Sequence, residues 1–117
     1  MVVALSIIYD KVRFEEKALY EKAQKKGLKA QIIDAKTIVV GTDSRKKDFA
    51  LGDVVLQRSV SHYRGLYLTA CLEFLGFVVI NKLRVGETCG NKLLTSLALA
   101  KHRIQTTREN LPASLAT

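Results

Sequence analysis

The feature that most constrains this chain is a change of hydrophobic period that keeps recurring along it. Val2–Tyr9 (VVALSIIY) is a nearly unbroken apolar run rich in β-branched residues, the pattern of a strand buried on both faces. After the polar break Asp10–Arg13, the residues Phe14, Ala18, Leu19 and Ala23 recur at three- and four-residue steps with Glu and Lys between them. That spacing predicts an amphipathic helix over Phe14–Lys26. Glu15 and Glu16 stand early and Lys25 and Lys26 late, which suits the helix dipole, and Gly27 is placed to end the helix. The alternation then repeats. Strand signals fall at Ala30–Asp34, Thr37–Val40, Asp53–Gln57 and Phe77–Ile80. Helix signals run from Ser61 as N-cap to about Leu75, with Leu66, Ala70, Leu72 and Leu75 turned inward and Gly76 as the stop, then from Asn81 through Glu87, and over Asn91–His102. Gly41–Lys47 reads as a polar loop, and Ala113–Thr117, after the sole proline Pro112, as the opening of another strand. Strands separated by helices pair in parallel through crossovers. The expectation is an α/β fold: a small Rossmann-like parallel sheet with helices on both faces.

Length and composition narrow the function. The 117 residues suffice for one domain of ordinary size. An apolar share of 48% fits a packed core. No run approaches the roughly 18–20 apolar residues that span a bilayer. The apolar start has no basic n-region, so a secretory leader is not expected. Two cysteines make no disulfide framework, and no His/Cys cluster has zinc spacing; a cytoplasmic protein with free thiols is expected. The formal charge of +8 suggests an anionic partner without choosing one. The basic residues form no stripe and have no aromatic interleaving, which gives nucleic-acid binding little support.

Candidate chemistry concentrates in two places. Gln57–Gly65 (QRSVSHYRG) lies between the carboxyl end of a strand and the start of a helix, the edge where open α/β sheets bind ligands. Arg58, Ser61, His62 and Arg64 there offer donors for a carboxylate or phosphate; a plain loop with one cap and two surface arginines explains the same residues equally well. Gly86–Lys92 (GETCGNK) approaches a P-loop but has three residues between its glycines where four are needed, and Leu93 where Ser or Thr belongs. On spacing alone Lys92 reads as a solvated lysine, though a cation in a first helical turn opposes the dipole. Asp10 ends the first strand as in phosphate-accepting receiver domains, but the acidic pair is missing and the third strand ends Gln57-Arg58. His62 and His102 have no visible partners, Cys71 falls on an apolar helix face, and no catalytic triad or metal set is formed.

Three stretches carry a resemblance: Ile8-Tyr9-Asp10-Lys11-Val12-Arg13 with Glu15-Glu16-Lys17; Leu56–Gly65 running on to Leu75–Asn81; and Glu87-Thr88-Cys89-Gly90-Asn91-Lys92-Leu93-Leu94-Thr95. In this order and spacing the chain resembles the N-terminal part of the RimK-like ATP-grasp ligases, and within them the LysX type. The resemblance implies a pre-ATP-grasp domain over 1–103, followed over 104–117 by a linker and the start of an ATP-grasp domain. It implies ATP and Mg²⁺ as cofactors and an acyl phosphate that an amine attacks, with metal ligands outside this chain. It further implies an amino-acid substrate (α-aminoadipate, in lysine biosynthesis), an acidic LysW-type carrier protein as partner, and a homo-oligomer. Gly90-Asn91-Lys92 matches the family's Gly-Asp-Lys turn, so the resemblance makes Lys92 a ligand of the ATP phosphates, with Asn91 in place of Asp. No catalytic residue is carried over, and a front piece of this kind is expected to be inactive alone. Two alternatives stay open: a RimK-like ligase adding glutamate to another acceptor, and a stand-alone nucleotide- or nucleic-acid-binding module.

Overall fold

The computed structural model describes residues 2–106. They fold as β1 (Ala4–Tyr9), α1 (Phe14–Lys25), β2 (Lys29–Asp34), β3 (Val54–Gln57), α2 (His62–Leu75), β4 (Val78–Ile80), α3 (Leu83–Cys89) and α4 (Lys92–Lys101). The four strands form one sheet in the order β2-β1-β3-β4, and every pairing is parallel. The α/β parallel architecture expected from the alternating periods is therefore present.

Side-chain alternation divides the sheet into two faces. Ile8, Val55 and Val79 point to one face, where they join Leu68 and Leu72 of α2 and Ala35, Leu51 and Phe77. Leu5 and Ile7 point to the other, against Ala23 of α1. Ile7, Ile8, Val55 and Leu72 are completely enclosed. The connection from β2 to β3 shares the α2 face, since Leu51 and Ala35 belong to its core. It is fastened there by polar contacts. The enclosed Ser6 hydroxyl donates to the Leu51 carbonyl at 2.6 Å, and Gln31 Nε2 donates to Ser6 Oγ at 2.8 Å and to the Ala50 carbonyl at 2.6 Å.

The turn residues behave as their chemistry requires. Gly27 and Gly76 follow α1 and α2 with φ of 79° and 97°, the left-handed region that ends helices most cheaply at glycine. Thr37–Val40 is the exception to the strand pattern and forms no strand. The Asp34 carboxylate accepts from the Lys36 N–H at 2.9 Å, and the Thr37 hydroxyl donates to the Asp34 carbonyl at 2.7 Å. These local bonds close a 3₁₀ turn over Ala35–Thr37 and take the backbone away from a ladder.

The chain divides into two compact units, Met1–Leu83 and Arg84–Thr117. In the second, Asn91 is the N-cap of α4, its Oδ1 accepting from the Leu94 N–H at 3.0 Å. The Thr95 hydroxyl lies 2.8 Å from the Thr88 carbonyl oxygen and 2.9 Å from that of Asn91. The expected strand at Ala113–Thr117 and Pro112 lie outside the described residues. Among the described residues, no helix is long and apolar enough to cross a membrane.

Candidate functional site

The parallel strands bring the chain ends of β1 and β3 to one edge of the sheet. Ile8 is registered with Gln57, and the Arg58 N–H extends the pairing to the Ile8 carbonyl at 2.8 Å. Asp10 therefore arrives beside the segment between β3 and α2. Its carboxylate accepts from the Val60 N–H at 2.7 Å, from the Ser61 N–H at 2.9 Å, and from Arg64 Nη1 at 3.0 Å. Burial pushes the Asp10 carboxyl up. The two N–H donors and the Arg64 guanidinium outweigh it and hold the carboxyl below its ordinary value. Ser61 occupies the N-cap position of α2, but its side chain makes no capping bond; the carboxylate of Asp10, some fifty residues away in sequence, supplies the negative charge that the helix start favours.

A second carboxylate is buried at the start of α1. Glu16 is fully enclosed, one turn into α1, because Arg13 just before the helix reaches over it. Arg13 Nη2 and Nε donate to Glu16 Oε1 at 2.6 and 3.0 Å, a forked charge-assisted contact. Arg58 adds a longer ion pair, its Nε 4.0 Å from the same oxygen. The hydrogen bond from Arg13 outweighs the cost of burial and keeps the Glu16 carboxyl below its usual value, while Glu16 raises that of Arg13. Gln57 Nε2, Arg58 Nε and Ser59 Oγ, on three consecutive residues at the end of β3, are buried without a hydrogen-bond partner.

The four residues expected to bind an anion are thus partly brought together and partly committed within the protein. Arg64 and the Ser61 N–H hold Asp10, and Arg58 leans toward Glu16. His62 opens α2 with its ring edge-on to Tyr63, centroids 5.3 Å apart. Lys92 is the first residue of α4, in the second unit. Asp10 and Glu16 organise this edge, a role beyond the phosphate-acceptor and dipole-partner chemistry that their positions in the sequence suggest. The available signal was the pairing of Asp10 and Arg13 with Glu16 at the carboxyl end of a strand, a run too acidic and basic for a simple turn.

Among the described residues, no group of three or more His, Cys, Asp or Glu side chains is placed to hold a metal ion. An ammonium opening a helix, as at Lys92, is the kind of donor that suits phosphate oxygens.

A parallel α/β unit with its polar residues gathered at the strands' carboxyl edge is a Rossmann-like domain of the class that binds ligands at that edge. The chain belongs to the LysX pre-ATP-grasp domain family, whose model matches residues 5–88. It is 36% identical over 99 residues to the alpha-aminoadipate–LysW ligase LysX of Sulfolobus acidocaldarius, covering 83% of this chain and 36% of that one. The glutamate–LysW ligase ArgX of Sulfurisphaera tokodaii is 36% identical over 100 residues, covering 84% of this chain and 34% of that one. The RimK domain ATP-grasp protein of Sphaerobacter thermophilus has the same fold, with a TM-score of 0.72 at 17% identity over 90% of this chain and 40% of that one. The chain spans little more than a third of the length of the curated relatives.

Proposed function

We propose that this chain is the front domain of an ATP-dependent ligase that joins an amino acid to the terminal carboxylate of a small acidic carrier protein of the LysW type, through an acyl phosphate. The observation that carries this reading is the likeness to LysW ligases over more than four-fifths of the chain. α-Aminoadipate, and with it lysine biosynthesis in the cytoplasm, is the first choice of substrate and setting. Glutamate is the second reading, favoured by an equal 36% identity to a glutamate–LysW ligase.

In the whole ligase, ATP with Mg²⁺, whose metal ligands are expected outside this chain, would supply the phosphoryl group that activates the carboxylate. This chain's share is positioning and charge. Lys92 at the start of α4 is assigned to the ATP phosphates, an electrostatic role with no proton transfer. The carboxyl edge of β1 and β3 is assigned to the substrate side, with Arg58, Ser61, His62 and Arg64, of which Asp10 holds Arg64 and the Ser61 N–H. Buried side-chain atoms without a hydrogen-bond partner, Gln57 Nε2 and Ser59 Oγ, beside Arg58 Nε with its long ion pair to Glu16, support a polar ligand at this edge. The charge of +8 would draw an acidic carrier and speed its association. The ligase is proposed to act as a homo-oligomer, and 104–117 to lead into the ATP-grasp domain.

The test is ADP release by the full-length ligase supplied with ATP, Mg²⁺, a LysW-type carrier and either α-aminoadipate or glutamate. Turnover that needs the carrier and one of the two amino acids is expected. A folded, ATP-binding protein that releases ADP with neither would overturn the reading.

A further inference from the structure

The strand order β2-β1-β3-β4 puts a topological switch between β1 and β3. From β1 the chain crosses through α1 to β2 on one flank, and from β3 through α2 to β4 on the other. α1 covers the face of Leu5 and Ile7, and α2 the face of Ile8 and Val55. The two helices thus start on opposite faces, and the strand ends between them are where open parallel sheets take their ligands. Alternation carries on to the end of β3. Gln57 follows Val55 on the α2 face. Arg58, whose N–H extends the ladder to the Ile8 carbonyl, follows Leu56 on the α1 face. Side chains of both faces therefore meet at the switch point.

At that point the acceptors are engaged and the donors are not. The Asp10 carboxylate already takes three donors, and the enclosed Glu16 takes the fork of Arg13. Gln57 Oε1 accepts from the Ser59 N–H at 3.1 Å. This fixes the amide, so the group left over is Nε2, which only donates. Gln57 Nε2 and Ser59 Oγ are buried with no partner, and Arg58 Nε has a 4.0 Å ion pair to Glu16 but no hydrogen bond. Unpaired buried donors are unfavourable, and a ligand oxygen offsets that. The Arg58 side chain is 37% exposed and held by no hydrogen bond, so it is free to swing and admit one. A guanidinium beside an amide N–H and a hydroxyl suits a planar carboxylate, which it grips by two parallel bonds. It does not suit a free amino acid. The ammonium next to such a carboxylate would face Arg58, and both nearby carboxylates are already neutralised by arginine.

We infer that Gln57, Arg58 and Ser59 form a carboxylate site that takes the carboxylate of the carrier protein and turns away the free amino acid. The inference rests on the ligase reading proposed above and divides its two substrates: the carrier's acidic end docks at the end of β3, and the amino acid is bound elsewhere.

The test has two arms. In the first, backbone amide spectra of the chain are followed during titration with N-acetylglutamate, glutamate and inorganic phosphate. N-acetylglutamate, which has carboxylates and no ammonium, should shift the signals of residues 57–61. It should bind at least about ten-fold more tightly than glutamate or phosphate. Ser59→Ala and Arg58→Lys should each weaken it by about ten-fold. The thermal midpoint of Ser59→Ala should not fall, because the lost hydroxyl has no partner in the protein. Lys29→Gln removes an exposed charge where β2 begins, at the opposite edge of the sheet, and should change nothing. No response at 57–61 overturns the site. Equal binding of glutamate or of phosphate, or equal weakening by Lys29→Gln, overturns the assignment to the carrier's carboxylate. In the second arm, Ser59→Ala in the full-length ligase should raise the KM for the carrier by about ten-fold and leave that for the amino acid unchanged. A rise for the amino acid instead overturns the inference and leaves the ligase reading standing. So does a turning-over enzyme with both KM values unchanged, in which another part of the polypeptide fills the edge. An enzyme with no carrier-dependent turnover overturns the ligase reading, and with it the assignment to a carrier, while the titration still decides whether the site exists.

Discussion

The carboxylate of Asp10 and the guanidinium of Arg64, 3.0 Å apart, tie the end of the first strand to the first turn of the second helix across fifty-four residues of sequence. Two backbone N–H groups complete the grip on Asp10. Asp10→Ala should therefore cost about 1.5–3 kcal/mol, the range for hydrogen bonds to a charged group. Arg64→Ala should cost about 1 kcal/mol or less, because Arg64 is 44% exposed and the N–H donors remain. Urea denaturation of both variants and their double mutant measures the coupling. A loss from Arg64→Ala equal to that from Asp10→Ala would show that the backbone contacts contribute little.

Glu16 has no access to water, whereas Arg13 is 39% exposed. Removing the acid leaves a guanidinium that can turn to solvent. Glu16→Gln is expected to destabilise by about 2–3 kcal/mol, less than the 3–5 lost when a fully buried pair is broken. Arg13→Met should be worse, since it strands a buried carboxylate whose remaining cation is 4.0 Å away. The order of the two unfolding midpoints decides the matter.

Both carboxyls are held below their ordinary values, which fixes the sign of the acid response. A group with a depressed folded pKa stabilises above its unfolded pKa, about 3.9 for Asp and about 4.3 for Glu. That contribution is lost as the pH falls through the folded values. Stability measured from pH 6 down to pH 2 should be flat at first and then fall below about pH 4–5. In Asp10→Asn the fall should be shallower; an unchanged slope would remove Asp10 from the account.

Two glycines with positive φ make a matched pair. At Gly52, with φ of 80°, an added methyl would lie 2.7 Å from Ala4 Cβ and 2.9 Å from the Ala4 carbonyl oxygen, both on β1. At Gly27, with φ of 79°, it would meet nothing. Gly27→Ala should cost about 1 kcal/mol, from backbone strain alone. Gly52→Ala should cost about 2–4 kcal/mol, strain and collision together. Thermal melts of the two variants compare the terms directly.

In the full-length ligase, Lys92→Met should weaken ATP binding by about ten- to a hundred-fold, the worth of one charge-assisted contact. Carrier affinity should hold, and carrier association should slow with added salt. ATP binding unchanged by the substitution would take Lys92 out of the site.

Much of the architecture is written locally. A period of two or an unbroken apolar run marks β1, β3 and β4, and the three- and four-residue period marks α1, α2 and α4. The glycines at 27 and 76 stop their helices because no other residue takes a left-handed turn as cheaply. These signals act between residues a few positions apart, so the sequence by itself determined the succession of elements and, with the crossover rule, the parallel sheet. The tertiary structure decided what depends on distant partners. The start of α2 is steadied by Asp10 and not by the Ser61 hydroxyl, because parallel pairing of β1 with β3 delivers a carboxylate to that spot. α3 begins on Glu73 of α2 instead of on an Asn81 cap. Thr37–Val40, apolar enough for a strand, is diverted by the turn that Asp34 closes. In each case a single long-range or side-chain contact outweighs a weak local preference, and no window of sequence contains both partners of the long-range ones.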